Sequence, residues 1–217
     1  MATTTYVPLI IQTLNSAASS VTLGSGGTIP QTYTDLVLIC NVKNTANSGD
    51  EVGIQFNSDT GSQTYYSRIR MFGNGGSAGT SESTNTDKGA VGINGTSYFT
   101  PMVVNIQNYS NTTTYKTVLS RGNGDTHVSA YASLWRKTEA ITSITLKPDS
   151  GTTFASGSTF TLYGIANADT GALATGGVIT YDSTYYYHTF GSSGTFTPKQ
   201  ALSNADYLVV AGGGGAG

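Results

Sequence analysis

Strict alternation of apolar and polar residues recurs along most of this chain, whereas helical periodicity is nearly absent. Residues two apart lie on the same face of a β-strand, so each alternating window predicts a strand with a distinct face. The alternating sets are Leu36, Leu38, Cys40 and Val42; Val52, Ile54 and Phe56; Met102, Val104 and Ile106; Tyr115, Thr117 and Leu119; Val128, Ala130, Ala132 and Leu134; and Phe160 with Leu162. β-Branched and aromatic residues fill these windows, as strands favour.

Clusters of Gly, Asn, Asp and Ser separate the predicted strands, for example at 24–27, 47–50, 57–62, 121–125 and 148–151. Such clusters are typical of tight turns. Because no crossover helix is predicted, neighbouring strands are expected to run antiparallel. The sequence therefore predicts an all-β protein whose main domain is an antiparallel β-sandwich or jelly roll.

The pattern changes after Ile165, and this change predicts a division of the chain. Residues 166–177, ANADTGALATGG, offer few side chains that could pack and are interpreted as a linker. The predicted domains are a sandwich over residues 1–165 and a small β module over residues 178–217, which ends in a strand at Tyr207–Ala211 and a glycine-rich segment. Within the sandwich, residues 73–95 are predicted to form a long surface excursion or hairpin.

Composition excludes several classes of protein. Only 10% of the residues are charged and the net charge is −2, with ten Lys and Arg scattered along the chain, so no nucleic-acid-binding surface is predicted. The N-terminus, MATTTYVPLII, lacks the basic start of a signal peptide. No stretch approaches the ~18 apolar residues of a membrane helix. We expect synthesis in a cytoplasm without an export signal and no membrane insertion.

Catalytic and metal motifs are absent from the sequence. The single cysteine, Cys40, lies in LVLIC and is expected to be a small buried side chain. The two histidines, His127 and His188, are far apart, so no transition-metal site and no cofactor are predicted. His127 is expected at a solvent-facing strand edge, and a dyad with Asp125 is the less favoured alternative.

Carboxylates leave two further alternatives open. Asn57 and Asp59 could contribute oxygen ligands to a calcium loop, although their spacing differs from an EF-hand. A carboxylate pair of a polysaccharide depolymerase would involve Asp59, Asp125 or Glu139. Most acids lie in turns, where they accept hydrogen bonds from the local backbone, so no catalytic residue is predicted.

Tyrosine is abundant, with 14 residues and two clusters: Tyr65 with Tyr66, and Tyr185 with Tyr186 and Tyr187. Exposed aromatic side chains on β-structure stack on sugar rings or anchor subunit interfaces. Both clusters are therefore candidate glycan contacts, together with the excursion at 73–95. Core and cross-strand pairing is the alternative explanation.

The C-terminal sequence, YHTFGSSGTFTPKQALSNADYLVVAGGGGAG, resembles the glycine-rich module of tailed-phage fibre and appendage proteins. The residues that carry the resemblance are His188, Phe190, Ser193, Gly194, Phe196, Thr197, Tyr207–Val210 and Gly212–Gly215. Segments 29–39, 54–67, 108–118 and 134–165 are similar to structural proteins of marine and cyanobacterial phages. The resemblance implies an all-β structural protein of the virion, located on its appendages.

Fibre proteins of this kind are trimeric, so the resemblance also implies a homotrimer, which fits the preference of oligomers for closed cyclic symmetry. Leu208, Val209 and Val210 are expected to form a strand that leads the glycines, Gly212, Gly213, Gly214 and Gly215, toward a three-fold axis. Glycine lacks a side chain, so several such segments can pack backbone to backbone. The N-terminal residues 1–16 are a candidate docking arm.

The function expected from the sequence is a tail fibre or fibre-like adhesin subunit, without enzymatic activity, that takes part in host attachment. Its expected partners are other copies of the chain, other virion proteins and a host surface glycan. The alternative is a capsid decoration or head-fibre protein, and a polysaccharide depolymerase is the remote alternative.

Overall fold

A computed structural model describes residues 5–45, 50–60, 66–73, 76, 78–149, 151–165, 173–182, 184–199, 201–202 and 205–210. Every regular element among these residues is a β-strand. None of them forms a helix long and apolar enough to cross a membrane. The prediction of an all-β protein with antiparallel sheets is confirmed.

The chain divides into two compact units, Met1–Asn167 and Ala168–Gly217. The strands of the first unit are β1 (Tyr6–Thr13), β2 (Val21–Leu23), β3 (Asp35–Val42), β4 (Asp50–Phe56), β5 (Tyr66–Gly73), β6 (Ala78–Thr86), β7 (Gly89–Asn94), β8 (Thr100–Ile106), β9 (Lys116–Asn123), β10 (Val128–Trp135), β11 (Ile144–Pro148) and β12 (Thr159–Ile165). The strands of the second unit are β13 (Ala174–Thr175), β14 (Val178–Tyr181), β15 (Tyr186–Thr189) and β16 (Thr197–Pro198).

Two antiparallel sheets make up the first unit in a sandwich-like arrangement. The larger sheet has the strand order β1-β12-β3-β8-β9-β10-β5-β6, and the smaller has the order β2-β11-β4-β7. From β1 to β4, each strand lies in the opposite sheet from the strand before it. The same holds from β10 to β11 and from β11 to β12. Strand β7 of the smaller sheet contacts β9 and β10 of the larger one, so the apolar core lies between the sheets.

The core contains most of the alternating sets that the sequence singled out. Side chains of β3, β4, β8 and β12 that were expected to share a face are buried, from Leu36 and Val52 to Phe160. Cys40 is buried with them, and burial raises the pKa of its thiol. Aromatic rings fill the remaining space: the rings of Phe56 and Trp135 lie 5.3 Å apart between centroids.

Two alternating sets face away from this core, which the sequence did not indicate. The buried residues of β9 and β10 are Lys116, Val118, Ser120, Ser129, Tyr131, Ser133 and Trp135. Leu119 and the set from Val128 to Leu134 lie on the outer face of the sheet instead. A shift of one residue moves every side chain of a strand to the opposite face, and here the large ring of Trp135 takes the inner position.

The prediction of a surface excursion over residues 73–95 is wrong in its second half. Strand β6 forms an exposed hairpin with β5, but β7 is a buried strand of the smaller sheet, with Val91 fully enclosed. Glycine allows this strand to approach its neighbours closely: a side chain at Gly92 would collide with Met102, and one at Gly89 would crowd Ser133. Gly-rich composition here reflects close packing rather than a loop.

The described residues of the second unit form two short two-stranded sheets, β13 with β16 and β14 with β15. Strand β13 falls inside the predicted linker, of which residues 166–172 lie outside the described part. The predicted strand at Tyr207–Ala211 is not formed over its described residues, 207–210, and none of the described strands pairs with them. Leu208, Val209 and Val210 are instead exposed. The glycines at 212–215 lie outside the described residues.

Candidate functional site

Tyr66 is not a surface residue, so its prediction as a glycan contact is wrong. Its side chain points inward from β5, is 1% exposed, and stacks on Trp135 with the ring centroids 6.4 Å apart. The Phe56 N–H donates a hydrogen bond of 2.9 Å to the Tyr66 hydroxyl, and burial raises the pKa of this phenol. The neighbouring Tyr65 lies outside the described residues.

Tyr185, Tyr186 and Tyr187 are exposed, on and beside the β14–β15 hairpin of the second unit. Asp182 fixes the turn of this hairpin. Its carboxylate accepts hydrogen bonds from the backbone N–H groups of Thr184 (2.7 Å) and Tyr185 (2.8 Å), and from the Tyr187 hydroxyl (2.7 Å). These donors lower the pKa of Asp182, the Thr184 N–H most, while the bond to Asp182 raises the pKa of Tyr187.

The three tyrosines do not form one platform. Tyr186 lies directly opposite Tyr181 in the hairpin, and these rings are 5.8 Å apart. The rings of Tyr185 and Tyr187 form a separate pair at 6.4 Å. Residues that alternate along a strand occupy opposite faces, so Tyr185 and Tyr187 form one exposed aromatic surface that a sugar ring could contact, and Tyr181 with Tyr186 forms another.

Of the three acids considered for hydrolysis, Asp59 and Asp125 hold parts of the protein in place, and Glu139 lies at the surface. Asp59 is buried, accepts a 2.8 Å hydrogen bond from Trp135 Nε1 and lies 3.4 Å from the Lys137 ammonium. Glu139 is exposed and 3.9 Å from the same ammonium. Asp125 accepts hydrogen bonds from the backbone N–H groups of residues 96–98, which lower its pKa to about 2, the Thr96 N–H most. These contacts do not support a catalytic carboxylate pair.

The contacts of Asn57 and His127 also argue for structural roles. The Asn57 side-chain oxygen accepts hydrogen bonds from the N–H groups of Thr142 and Ser143. It therefore links the segment after β4 to the segment before β11. His127 Nδ1 lies 3.0 Å from the Thr126 hydroxyl, and Asp125 is engaged with residues 96–98 instead. Among the residues that the structure describes, no group of three or more His, Cys, Asp or Glu side chains could hold a metal ion.

Sequence reasoning missed a charged cleft between the two sheets of the first unit. Glu51 of β4 accepts from Arg68 Nη1 at 2.6 Å and lies 3.5 Å from Arg70 Nη1, both on β5. Asp149, just after β11, pairs with the Lys88 ammonium at 2.7 Å. The cleft has a volume of about 220 Å³, and its lining also includes Asp50 and residues 81–83.

Two polar atoms in or behind the charged cleft lack an aligned hydrogen-bond partner. They are Arg70 Nε and the Tyr131 hydroxyl, and the Tyr131 side chain is 3% exposed. Burial and the nearby Glu51 carboxylate raise the pKa of Tyr131. The Arg70 guanidinium also lies 4.6 Å above the Phe72 ring. The cleft therefore holds positively charged hydrogen-bond donors and negatively charged acceptors at fixed positions. Such groups can bind the vicinal hydroxyls of a neutral sugar, because each hydroxyl both donates and accepts hydrogen bonds.

One signal in the sequence could have found this cleft. In YSRIRMF, Arg68 and Arg70 alternate with Ile69 and Met71, so both cations share one face of a strand. Their partner Glu51 could not be found this way, because it lies on another sheet.

No protein-family model and no curated protein sequence matches this chain, and no solved structure matches its fold. Neither the charged cleft nor the tyrosine pair can therefore be aligned with a site of known function. Their roles follow only from their contacts and chemistry.

Proposed function

We propose that this chain is a virion structural protein without enzymatic activity, a tail fibre or fibre-like adhesin subunit that takes part in host attachment. The observation that carries the proposal is the strand order of the first unit. Strands β1-β12-β3-β8 form one half of the larger sheet, and β2-β11-β4-β7 form the smaller sheet. Successive strands of these two groups alternate between them except for β4 and β7, which pair within the smaller sheet. This order supports a jelly-roll interpretation with the hairpins β5–β6 and β9–β10 as additions.

Jelly rolls recur in viral capsid proteins and in lectins, and both uses agree with the resemblance of the sequence to phage structural proteins. Such a scaffold presents polar loops and clefts on a rigid framework. A surface with few charges and many hydroxyl and amide groups suits hydrogen bonding to a glycan. In this proposal the protein acts on the virion as a homotrimer and binds other virion proteins at one end.

A capsid decoration or head-fibre protein is the second proposed function, because a jelly roll serves equally well on a capsid. The two functions differ in where the chain lies on the particle. A polysaccharide depolymerase is less well supported, since Asp59 and Asp125 are engaged by protein donors. Release of reducing sugar from envelope polysaccharide by the purified chain would be the test of that activity.

The decisive experiment is to locate the chain on particles. Virions from cells that express the chain are purified, probed by mass spectrometry, and labelled with antibody and gold for electron microscopy. Label on tail fibres is the expected result. Label spread over the head would instead support the function of a capsid decoration protein. A chain that is absent from all particles would overturn both proposals.

Glycan binding is tested separately, with the purified chain on immobilised host polysaccharide. Arg70→Gln removes donors from the charged cleft and is expected to reduce binding about tenfold, as the loss of a charge-assisted hydrogen bond does. Lys137→Gln, which removes a cation that pairs with Asp59 and does not line the cleft, is the matched control. Equal binding by both variants would remove the charged cleft from the proposal.

A further inference from the structure

The larger sheet carries apolar side chains on both of its faces. We call the side of this sheet that points away from the core the outer face. Its apolar side chains, on strands β3, β8, β9, β10 and β5, are Ile39, Ile69, Met71, Val103, Leu119, Val128, Ala130 and Ala132. Several are well exposed, with Ile69 at 54% and Met71 at 58%. An antiparallel sheet with one face toward water normally carries polar side chains there. A continuous exposed apolar surface of this kind marks an interaction site.

The ladder register shows that the outer face is continuous. Ala132 of β10 lies opposite Ile69 of β5 on one side and Leu119 of β9 on the other. Ala130 likewise lies between Met71 and Arg121. The two small alanines form the floor of a furrow, and the larger side chains form its walls. The furrow has a volume of about 340 Å³, so bulky apolar side chains of another sheet would fit into it.

The outer face also carries one cation and one anion that complement each other. Arg121 lies beside the furrow. Glu82 of the edge strand β6, which also borders the charged cleft, lies opposite Ile69. Among the described residues, neither forms an ion pair within the chain. Three strand spacings separate them, which places their backbones about 14 Å apart or more. They can therefore pair with each other only when they belong to different copies.

We propose that the outer face binds a second copy of this chain, with Glu82 of one copy beside Arg121 of the next. One chain supplies the bulky walls, the alanine floor and both charges, so the surface is complementary to itself. Face-to-face packing of two such sheets would cover the outer face as the smaller sheet covers the inner one. This two-fold contact lies on the first unit and is separate from the three-fold contact proposed for the glycine-rich segment. It does not depend on the virion role.

Disulfide trapping tests the contact in the full-length chain. The double variant Glu82→Cys/Arg121→Cys is oxidised and analysed on non-reducing gels. The two positions are too far apart for a bond within one chain, and Cys40 is buried. Covalent oligomers are the expected result, while a control pair on exposed loops, Tyr98→Cys/Tyr115→Cys, stays monomeric. A double variant that also stays monomeric would overturn the proposal.

A charge exchange separates a second copy from a different partner. Arg121→Glu places like charges together and is expected to weaken self-association about tenfold by analytical ultracentrifugation. The double exchange Arg121→Glu/Glu82→Arg should restore it, because both partners are then reversed. Failure of the double exchange to restore association would overturn the pairing of Glu82 with Arg121 between copies. If the double exchange restores association but the chain is absent from particles, the interface between copies is supported and the virion role is overturned.

Discussion

The two units of this protein differ in how much apolar surface they bury. The first encloses a core that extends from Leu14 to Leu162 between two sheets. In the second, Ala174 is the one fully buried apolar residue among those described, and Tyr185, Phe190 and Phe196 remain exposed. Two-stranded sheets of this size are marginally stable on their own. The comparison teaches that stability resides in the first unit, whereas the second presents apolar and aromatic side chains for contact.

The largest effect is expected from Phe56→Ala, which empties the centre of the aromatic cluster. Removal of a fully buried phenylalanine lowers the free energy of unfolding by about 3–5 kcal/mol. The chain has a single tryptophan, Trp135, and its contact with Phe56 makes its fluorescence a specific probe of the first unit. Urea unfolding followed at this probe gives the value, and Tyr186→Ala in the second unit is the control. Equal midpoints for both variants would contradict the contrast between the units.

A smaller effect is expected from Glu51→Gln in the charged cleft. The substitution keeps the shape of the side chain but removes the charge that both Arg68 and Arg70 face. Loss of a charge-assisted hydrogen bond that is mostly shielded from water costs about 1–2 kcal/mol. The same urea experiment measures it. Glu139→Gln, at an exposed position near Lys137, should change stability by less than about 0.5 kcal/mol.

Acid sensitivity should be reduced in Asp125→Asn. In the folded protein the pKa of Asp125 is lowered from 3.8 to about 2 by the N–H donors of residues 96–98. A carboxylate with a lowered pKa stabilises the fold above its unfolded pKa, and this contribution disappears as the pH falls from 3.8 toward 2. Thermal unfolding is compared at pH 5 and at pH 2. The wild type should lose more stability across this interval than Asp125→Asn, and equal losses would contradict the role of this carboxylate.

The smallest effect on the first unit is expected from Tyr187→Phe. This change removes the hydrogen bond from the Tyr187 hydroxyl to Asp182 and should alter the tyrosine signals in near-ultraviolet circular dichroism. The unfolding midpoint reported by Trp135 should not move, because this contact lies wholly within the second unit. A lower midpoint would show that the stability of the two units is coupled.

Much of the fold was predictable from the sequence, because alternation is a local property. Leu36, Leu38 and Phe56 lie in strands and in the core, as their spacing indicated. The exposure of Tyr185 and Tyr187 also agrees with their prediction as surface residues. The trimer, the virion location and the role of the segment Leu208–Val210 stay predictions.

The rest depended on partners that are distant in the chain. Alternation shows that Ala130 and Ala132 share a face, but only the register with β5 and β9 determines that this face points outward. Tyr66 is buried because β5 brings it to Trp135, about seventy residues away in the sequence. The sequence by itself therefore determined which residues form strands and which share a face. Only the tertiary structure decided which face is inside, because burial depends on the sheet that packs against it.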